Sequence, residues 1–384
     1  MTRSRECYVL GAATTRFGPE GPPVPERAFN AAVAAMEEAG IDFPDVDQVF
    51  IGTGLGIPTM GVKMIKDLGL TGVPVVRVEQ ASATGAAAFH EAVHAVWGGR
   101  SETVLCLGFD DLTSIGSANS FRSDMFPLTE AVINPAAFFA FWAVRRMEER
   151  GTTPETLAKI AAKNWNNGRL NPYAERQADS PVSVEKVLSS RMVAYPHTAR
   201  MCCPSTMGAA AVVVGSPEAQ SKHATNGTKI RVAAGTCVSE QYETGHMFAG
   251  AITGPPEMAK RSAYTCYEQA GIGPEDLDFV GVHDAYAIEE LLFMEEIGVC
   301  EPGEGDRLIA DGDTEIGGRI PFSTDGGFIA RGHPPGATGL AQIWEQVQQL
   351  RGTAGARQVE GARVGLAHIM GAGSVSVAHI LTNA

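Results

Sequence analysis

The strongest constraint on this chain is internal: its second half repeats motifs of its first half in the same order. Glu38-Ala-Gly-Ile41, then Pro44-Asp-Val-Asp47 and the apolar run Gln48 to Gly52, match Gln269-Ala-Gly-Ile272, Pro274-Glu-Asp-Leu-Asp278 and Phe279 to His283. Ala83-Thr84-Gly85, with Glu91 and Val93 downstream, matches Ala337-Thr338-Gly339 with Glu345 and Val347. Val104 to Gly108 corresponds to Val364 to His368, with Gly371 and Gly373 just beyond. Each pair alone is weak, but three pairs in one order are the mark of a duplicated unit. At 384 residues the chain is too long for one ordinary core, so two halves, 1–225 and 226–384, are the expected organisation. The polar stretch Ser216 to Lys229 is the expected boundary between them.

Periodicity fills in the units. Glu6 to Ala13, Val46 to Gly52, Val73 to Val78 and Glu102 to Gly108 read as strands, and Pro25 to Ala39 reads as a helix stopped by Gly40. The third strand runs into a small-residue elbow, Gln80-Ala-Ser82-Ala-Thr-Gly85, and an Ala-rich helix through Val96. Strands alternating with helices predict an α/β sheet of parallel character. From about 110 to 200 the alternation lapses into an aromatic helix (Ala136 to Arg150), a second helix opened by Thr153 and Pro154, and a loop with Asn171-Pro172. Such an insertion either shapes a cleft or is structural filler. Gly208 to Gly215 then restores the sheet.

Two loops carry candidate chemistry. Gly326 to Gly339 (GGFIARGHPPGATG) encloses one titratable side chain, His333, in backbone that Gly lets turn and Pro stiffens. By itself this is either a rigid mount for a reactive histidine or a structural turn. Superposing the repeats sets Ser82 where Gly336 lies in the second copy, so the two loops should meet at the junction of the halves. Ser82 then sits beside a helix N-terminus, as a polar group at an oxyanion site or as an ordinary N-cap. Composition narrows the partners. The net charge of -14 argues against a general nucleic-acid surface, and the longest mid-chain apolar run, Pro135 to Val144, is too short to span a bilayer. Seven cysteines without a C-x-x-C pair or a His-rich zinc spacing fit a reducing, cytoplasmic setting and no structural metal.

The chain resembles the thiolase superfamily, in its branch of sterol-carrier-protein-type thiolases and bacterial lipid-transfer-protein-like enzymes. The matching pieces run nearly end to end. They are Val78-Glu-Gln-Ala-Ser82-Ala-Thr-Gly85, Asn171-Pro172, Cys202-Cys-Pro204 with Gly208 to Ala211, His283-Asp284-Ala285-Tyr286, Gly326-Gly327, Gly332 to Gly339 and Gly371-Ala-Gly373. The resemblance implies a five-layered αβαβα fold from two duplicated halves with an insertion (loop) domain, a homodimer, and acyl-CoA substrates with no other cofactor. It also implies His333 and His283 at the reacting centre and the Gly371 and Gly373 N–H groups as oxyanion donors. Departures change the expected chemistry. The family's acyl-carrying cysteine is Ser82 here, a second cysteine position is Ala285, and a third falls near His368-Ile-Met370. An unassisted serine hydroxyl is a much weaker nucleophile than a thiolate. Cysteine-poor relatives include aldolases that shorten steroid side chains as CoA thioesters with a small DUF35 partner (zinc ribbon and OB fold). The expectation is therefore retro-aldol cleavage of a β-hydroxyacyl-CoA, with His333 as base or acid, His283 as oxyanion donor or second acid/base, and Ser82 orienting. Tyr286 is an auxiliary acid or a packing residue, and Asp284 either orients a ring or caps a turn. The alternatives are acyl transfer, through a histidine-activated Ser82 or through Cys203, and a non-catalytic subunit.

Overall fold

The computed structural model describes residues 5–55, 59–113, 135–223, 227–241, 257–371 and 375–384. In chain order, the first half contains β1 (Tyr8–Thr14), α1 (Val24–Ala39), β2 (Gln48–Gly52), α2 (Met60–Leu68), β3 (Val75–Val78), α3 (Thr84–Trp97) and β4 (Thr103–Asp111). Then come α4 (Pro135–Arg150), α5 (Pro154–Arg169), α6 (Val184–Leu188), the hairpin β5 (Met192–Ala194) and β6 (His197–Thr198), β7 (Met207–Gly215) and α7 (Pro217–His223). The remainder is β8 (Ile230–Ser239), α8 (Met258–Ala270), β9 (Phe279–Gly281), α9 (Ala287–Glu296), α10 (Gly305–Asp311), α11 (Gly327–Ala330), α12 (Pro335–Arg351), β10 (Val364–Gly371) and β11 (Val375–Asn383). Among the described residues no helix is long and apolar enough to cross a membrane.

The duplication is visible in strand order. The large sheet runs β3-β2-β4-β7-β1-β8-β11-β10-β9, so reading outward from its centre gives β1-β7-β4-β2 on one side and β8-β11-β10-β9 on the other. The sequence matches fall on equivalent places: β2 with β9, β4 with β10, and α3 with α12. At the seam, β1 and β8 pair through only two residue pairs, Tyr8 with Arg231 and Val9 with Ile230.

Alternate residues of the strands feed different layers, as period-two geometry requires. On β4 and β7, Leu105, Leu107 and Val213 pack with Ala28, Ala32 and Ala35 of the outer helix α1. Val104, Cys106, Val212 and Val214 instead join Phe89 and Val93 of α3 and Leu340 and Val347 of α12 in the central layer. On the far side, Ala378 and Ile380 of β11 pack with Ala259, Ala263 and Cys266 of α8. The result is five layers, helix–sheet–helix–sheet–helix, with α3 and α12 in the middle.

One expectation needs correction. The sheet is mixed: β3, β2 and β4 are parallel, as are β9 and β10, but β4, β7, β1, β8, β11 and β10 run antiparallel in succession. The local βα alternation covers only the outer strands, while the inner ones are reached by long connections or by the tight β10–β11 return. Within the stretch Ser216 to Lys229, Pro217–His223 forms α7.

Helices α4 and α5 of the insertion pack on the C-terminal half. Arg146 of α4 pairs with Glu295 of α9 and Asp306 of α10. From α5, Lys163 donates to the Phe322 carbonyl at 2.8 Å and Asn167 to the Ser323 carbonyl at 3.2 Å. Asn171 donates to the Asp325 carbonyl at 2.9 Å. Buried amide and amine groups thus fix the loop that leads into Gly326 and His333.

Candidate active site

In the first half, β3 ends at Val78 and the chain turns through Ala81 before α3. Ala81 has φ 48°, a left-handed conformation costing a non-glycine residue on the order of 1–2 kcal/mol. The turn is fixed by Thr84, whose hydroxyl donates to the Ala81 carbonyl at 2.6 Å and accepts the Gln80 N–H at 2.9 Å. Ser82 does not cap α3, because the N-cap is Ala83 and has no side-chain cap bond. Its hydroxyl is left for another partner.

That partner is His333, whose Nε2 lies 2.9 Å from Ser82 Oγ. The two loops therefore meet as the repeat predicts. Gly332, at φ 111°, makes the backbone reversal just before His333. Gly327, at φ 57°, sits where any Cβ would collide with the Asp284 carboxylate. Pro335 opens α12 at its first turn, where its missing N–H leaves no bond unmade. Thr338, one turn later, donates its hydroxyl proton to the Pro334 carbonyl at 2.7 Å. Its oxygen then accepts from His333 Nδ1 at 2.9 Å. Burial, the neighbouring His283 and Arg331 push His333 well below the ordinary histidine range, so the ring is neutral. With its proton on Nδ1, Nε2 carries a lone pair, and the Ser82 hydroxyl donates to it.

His283 faces this ring, edge-on, with centroids 5.5 Å apart and planes 84° apart. It lies two residues beyond the end of β9 and is buried. Its Nδ1 is 2.6 Å from Glu289 Oε1. Glu289 is the third residue of α9, and its other oxygen accepts the Tyr286 N–H at 2.8 Å. Nε2 of His283 is buried without a partner among the described residues. Phe328 stacks on His333 (4.5 Å, 16°) and meets His283 edge-on (4.9 Å, 73°), holding both rings.

Asp284 turns away from both histidines. It accepts from Asn164 Nδ2 and from the Phe328 N–H, each at 2.7 Å, so it caps the turn into α11 and positions Phe328. The ring of Tyr286 stacks on Phe139 of α4 (4.8 Å, 29°) and lies against His197. Burial raises its phenol, and packing is the role its contacts describe. Cys203 is latched by its N–H to the Ala285 carbonyl at 2.8 Å. Burial pushes its thiol up and that of Cys202 to about 12, so neither offers a thiolate near neutral pH. Gly371 ends β10 against the elbow, where a Cβ would strike the Gln80 carbonyl. Gly373 lies outside the described residues. His368, before that turn, bonds Ser376 Oγ at 3.1 Å and is held neutral by burial, its value lowered to about 3.

Reading the sequence alone misses Glu289, Thr338, Phe328 and Asp110. Asp110 accepts from Thr53 Oγ1 and from the N–H groups of Gly54 and Leu55 in the first half, and from Gly336 N–H in the second, at 2.7–3.0 Å. The spacing Tyr286-x-x-Glu289 at a helix start is the pattern that could have flagged Glu289.

The chain is similar to known proteins over nearly its whole length. A family model described as "Thiolase, N-terminal domain" matches residues 7–202, and one described as "Thiolase C-terminal domain-like" matches residues 244–383. Sterol carrier protein 2 of Rattus norvegicus is 36% identical over 389 residues, covering 96% of this chain and 70% of that protein. The benzoylsuccinyl-CoA thiolase subunit BbsB of Thauera aromatica is 36% identical over 97% of this chain and 96% of that one. Among solved structures, the Ltp2-ChsH2(DUF35) aldolase has a TM-score of 0.86 and 26% identity, covering 100% of this chain and 99% of that chain. With both halves, the elbow and the His333 loop in place, the chain belongs to the thiolase superfamily, in its sterol-carrier-protein-type branch.

Proposed function

We propose that this protein cleaves a β-hydroxyacyl-CoA by retro-aldol chemistry. One imidazole takes the proton of the β-hydroxyl; the Cα–Cβ bond breaks, its electron pair forms the thioester enolate, and the β-carbon leaves as a ketone or aldehyde. An acid then returns a proton to Cα, giving the shortened acyl-CoA. The N–H groups around Gly371 and Gly373 are the proposed donors to the enolate oxygen. CoA enters only as part of the substrate.

The observation that carries this reading is a site with two facing histidines and a serine hydroxyl, while the thiols of Cys202 and Cys203 are raised by desolvation. Proton transfer needs no covalent acyl carrier. The structural likeness to the Ltp2-ChsH2(DUF35) aldolase supports it. On the same likeness we propose a DUF35 partner; a bulky, steroid-type side chain as substrate and a cytoplasmic homodimer complete the proposal. The test is incubation with a β-hydroxyacyl-CoA, with and without a DUF35 protein, followed by mass spectrometry. A carbonyl product and a shortened acyl-CoA are expected. His333→Ala and His283→Ala should each lower kcat by roughly 10²–10⁴-fold, and unchanged turnover in either variant removes that histidine from the chemistry.

A second reading, acyl transfer, is favoured by the Ser82 hydroxyl donating to a neutral histidine, the arrangement of an activated nucleophile. It requires an acyl-Ser82 ester. Rapid quench with an acyl-CoA should then show a burst of free CoA and an acylated Ser82 peptide, and retro-aldol chemistry produces neither.

A further inference from the structure

The two histidines are not equivalent, and the difference lies in their second ring nitrogen. His333 Nδ1 rests on a neutral hydroxyl, Thr338, and its Nε2 is already taken by Ser82. His283 Nδ1 rests on a carboxyl group, Glu289, and its Nε2 is buried without a partner among the described residues. We propose that Glu289 is a positioning residue that makes His283 the proton acceptor of the reaction and leaves His333 as the neutral ring that orients Ser82. The proposal rests on the retro-aldol reading for its chemistry, but its structural core, the tautomer of His283, does not.

Burial raises the Glu289 carboxyl, and the hydrogen bonds from His283 and the Tyr286 N–H act against that by favouring the carboxylate. Its Oε2 accepts the Tyr286 N–H, and Oε1 faces Nδ1, so the proton between the pair belongs on the imidazole. Nε2 is then the lone-pair nitrogen, buried and without a partner among the described residues. When it accepts a proton, the imidazolium formed has a counter-charge 2.6 Å from its other nitrogen. An imidazolium at His333 would have Arg331 and His283 as neighbours instead. The groups facing His283 are Glu289 and Phe293 from α9, His333 and Phe328 from the glycine-rich loop, and His368 from β10. Glu289 is the one acid among them; Asp284, next in sequence, spends both oxygens on Asn164 and Phe328.

The first experiment needs no substrate. Histidine-ring ¹⁵N NMR of the wild-type protein, with His283→Gln for assignment, should show His283 protonated on Nδ1 and bare on Nε2. Finding the proton on Nε2 overturns the proposal whatever reaction the enzyme performs. The second uses Glu289→Gln, which keeps size and loses charge, with folding checked by circular dichroism. Expected are a kcat drop on the order of 10²–10⁴-fold with KM changed less than about threefold. The pH profile of kcat should differ from that of the wild-type protein, because the carboxylate facing the ring is gone. Glu289→Asp should restore part of the rate. If Glu289→Gln folds and keeps the wild-type acid limb while His333→Gln abolishes it, His333 is the base and the proposal falls.

Discussion

At the scale of single residues, the site depends on which hydrogens point where. Thr338 sets the His333 tautomer only because the Pro334 carbonyl takes its hydroxyl proton. Thr338→Val keeps the shape and removes the acceptor, so the ring loses its preference and Ser82 its partner. We expect kcat to fall at least about tenfold with little change in melting temperature, a hydrogen bond between neutral groups contributing about 1 kcal/mol, and Thr338→Ser to behave as wild type. Equal kcat in the Val and wild-type proteins would disprove the tautomer argument. Sequence pattern could single out His333, His283 and Ser82, since a histidine in a Gly/Pro loop and a serine at an elbow are visible as types. It could flag Glu289 as an acid at a helix start but not as the partner of His283. Glu289 and Glu290 are adjacent on one helix, and only the rotation of α9 decides that the first meets His283 and the second meets Lys163.

At the scale of elements, the central pair α3 and α12 governs the geometry. Gly85 faces the Gly336 carbonyl, and Gly339 faces the Ala86 backbone, so a Cβ at either glycine would collide with backbone of the opposite helix. Their N-termini carry Ser82 and His333. Gly339→Ala should therefore cost about 2–3 kcal/mol by overpacking and lower kcat more than that loss alone would, because separating the helices separates the pair. Gly352→Ala is the comparison: this C-cap has φ 74° and open space around it, so about 1 kcal/mol and unchanged kcat are expected. Calorimetry and steady-state kinetics on both variants decide it. The helices were legible from sequence because Ala-Thr-Gly recurs in both copies. Helix α2 and the antiparallel centre of the sheet were not, since strand direction there depends on connections far apart in the chain.

Across the whole molecule, buried neutral histidines are spread over both halves. His90, His197 and His368 are each lowered by burial from 6.5 to about 3. The folded state thus binds fewer protons than the unfolded chain between these values. The stability each contributes is complete above about pH 6.5 and is lost as pH falls toward 3, at about 1.4 kcal/mol per pH unit. Buried carboxyls with raised values, such as Glu289 and Asp110, act in the opposite sense, so one site must be isolated. His197, fully buried and with neither ring nitrogen bonded, is the suitable probe. The stability gap between His197→Phe and wild type, from guanidinium unfolding at about pH 7.5, 6 and 5, should widen in the variant's favour by about 1.4 kcal/mol per unit below pH 6.5. A gap that stays constant would show that His197 does not titrate in this way.

The meeting of Ser82 from one half with His333 from the other also bears on inheritance. Neither half-length segment encodes both members of the pair, and Asp110, which ties the elbow side to Gly336, likewise bonds across the divide. A recombination event that exchanged one half for a distant relative's would preserve both folds and still break the pair, so the two copies, once duplicated, must be transmitted as a single unit.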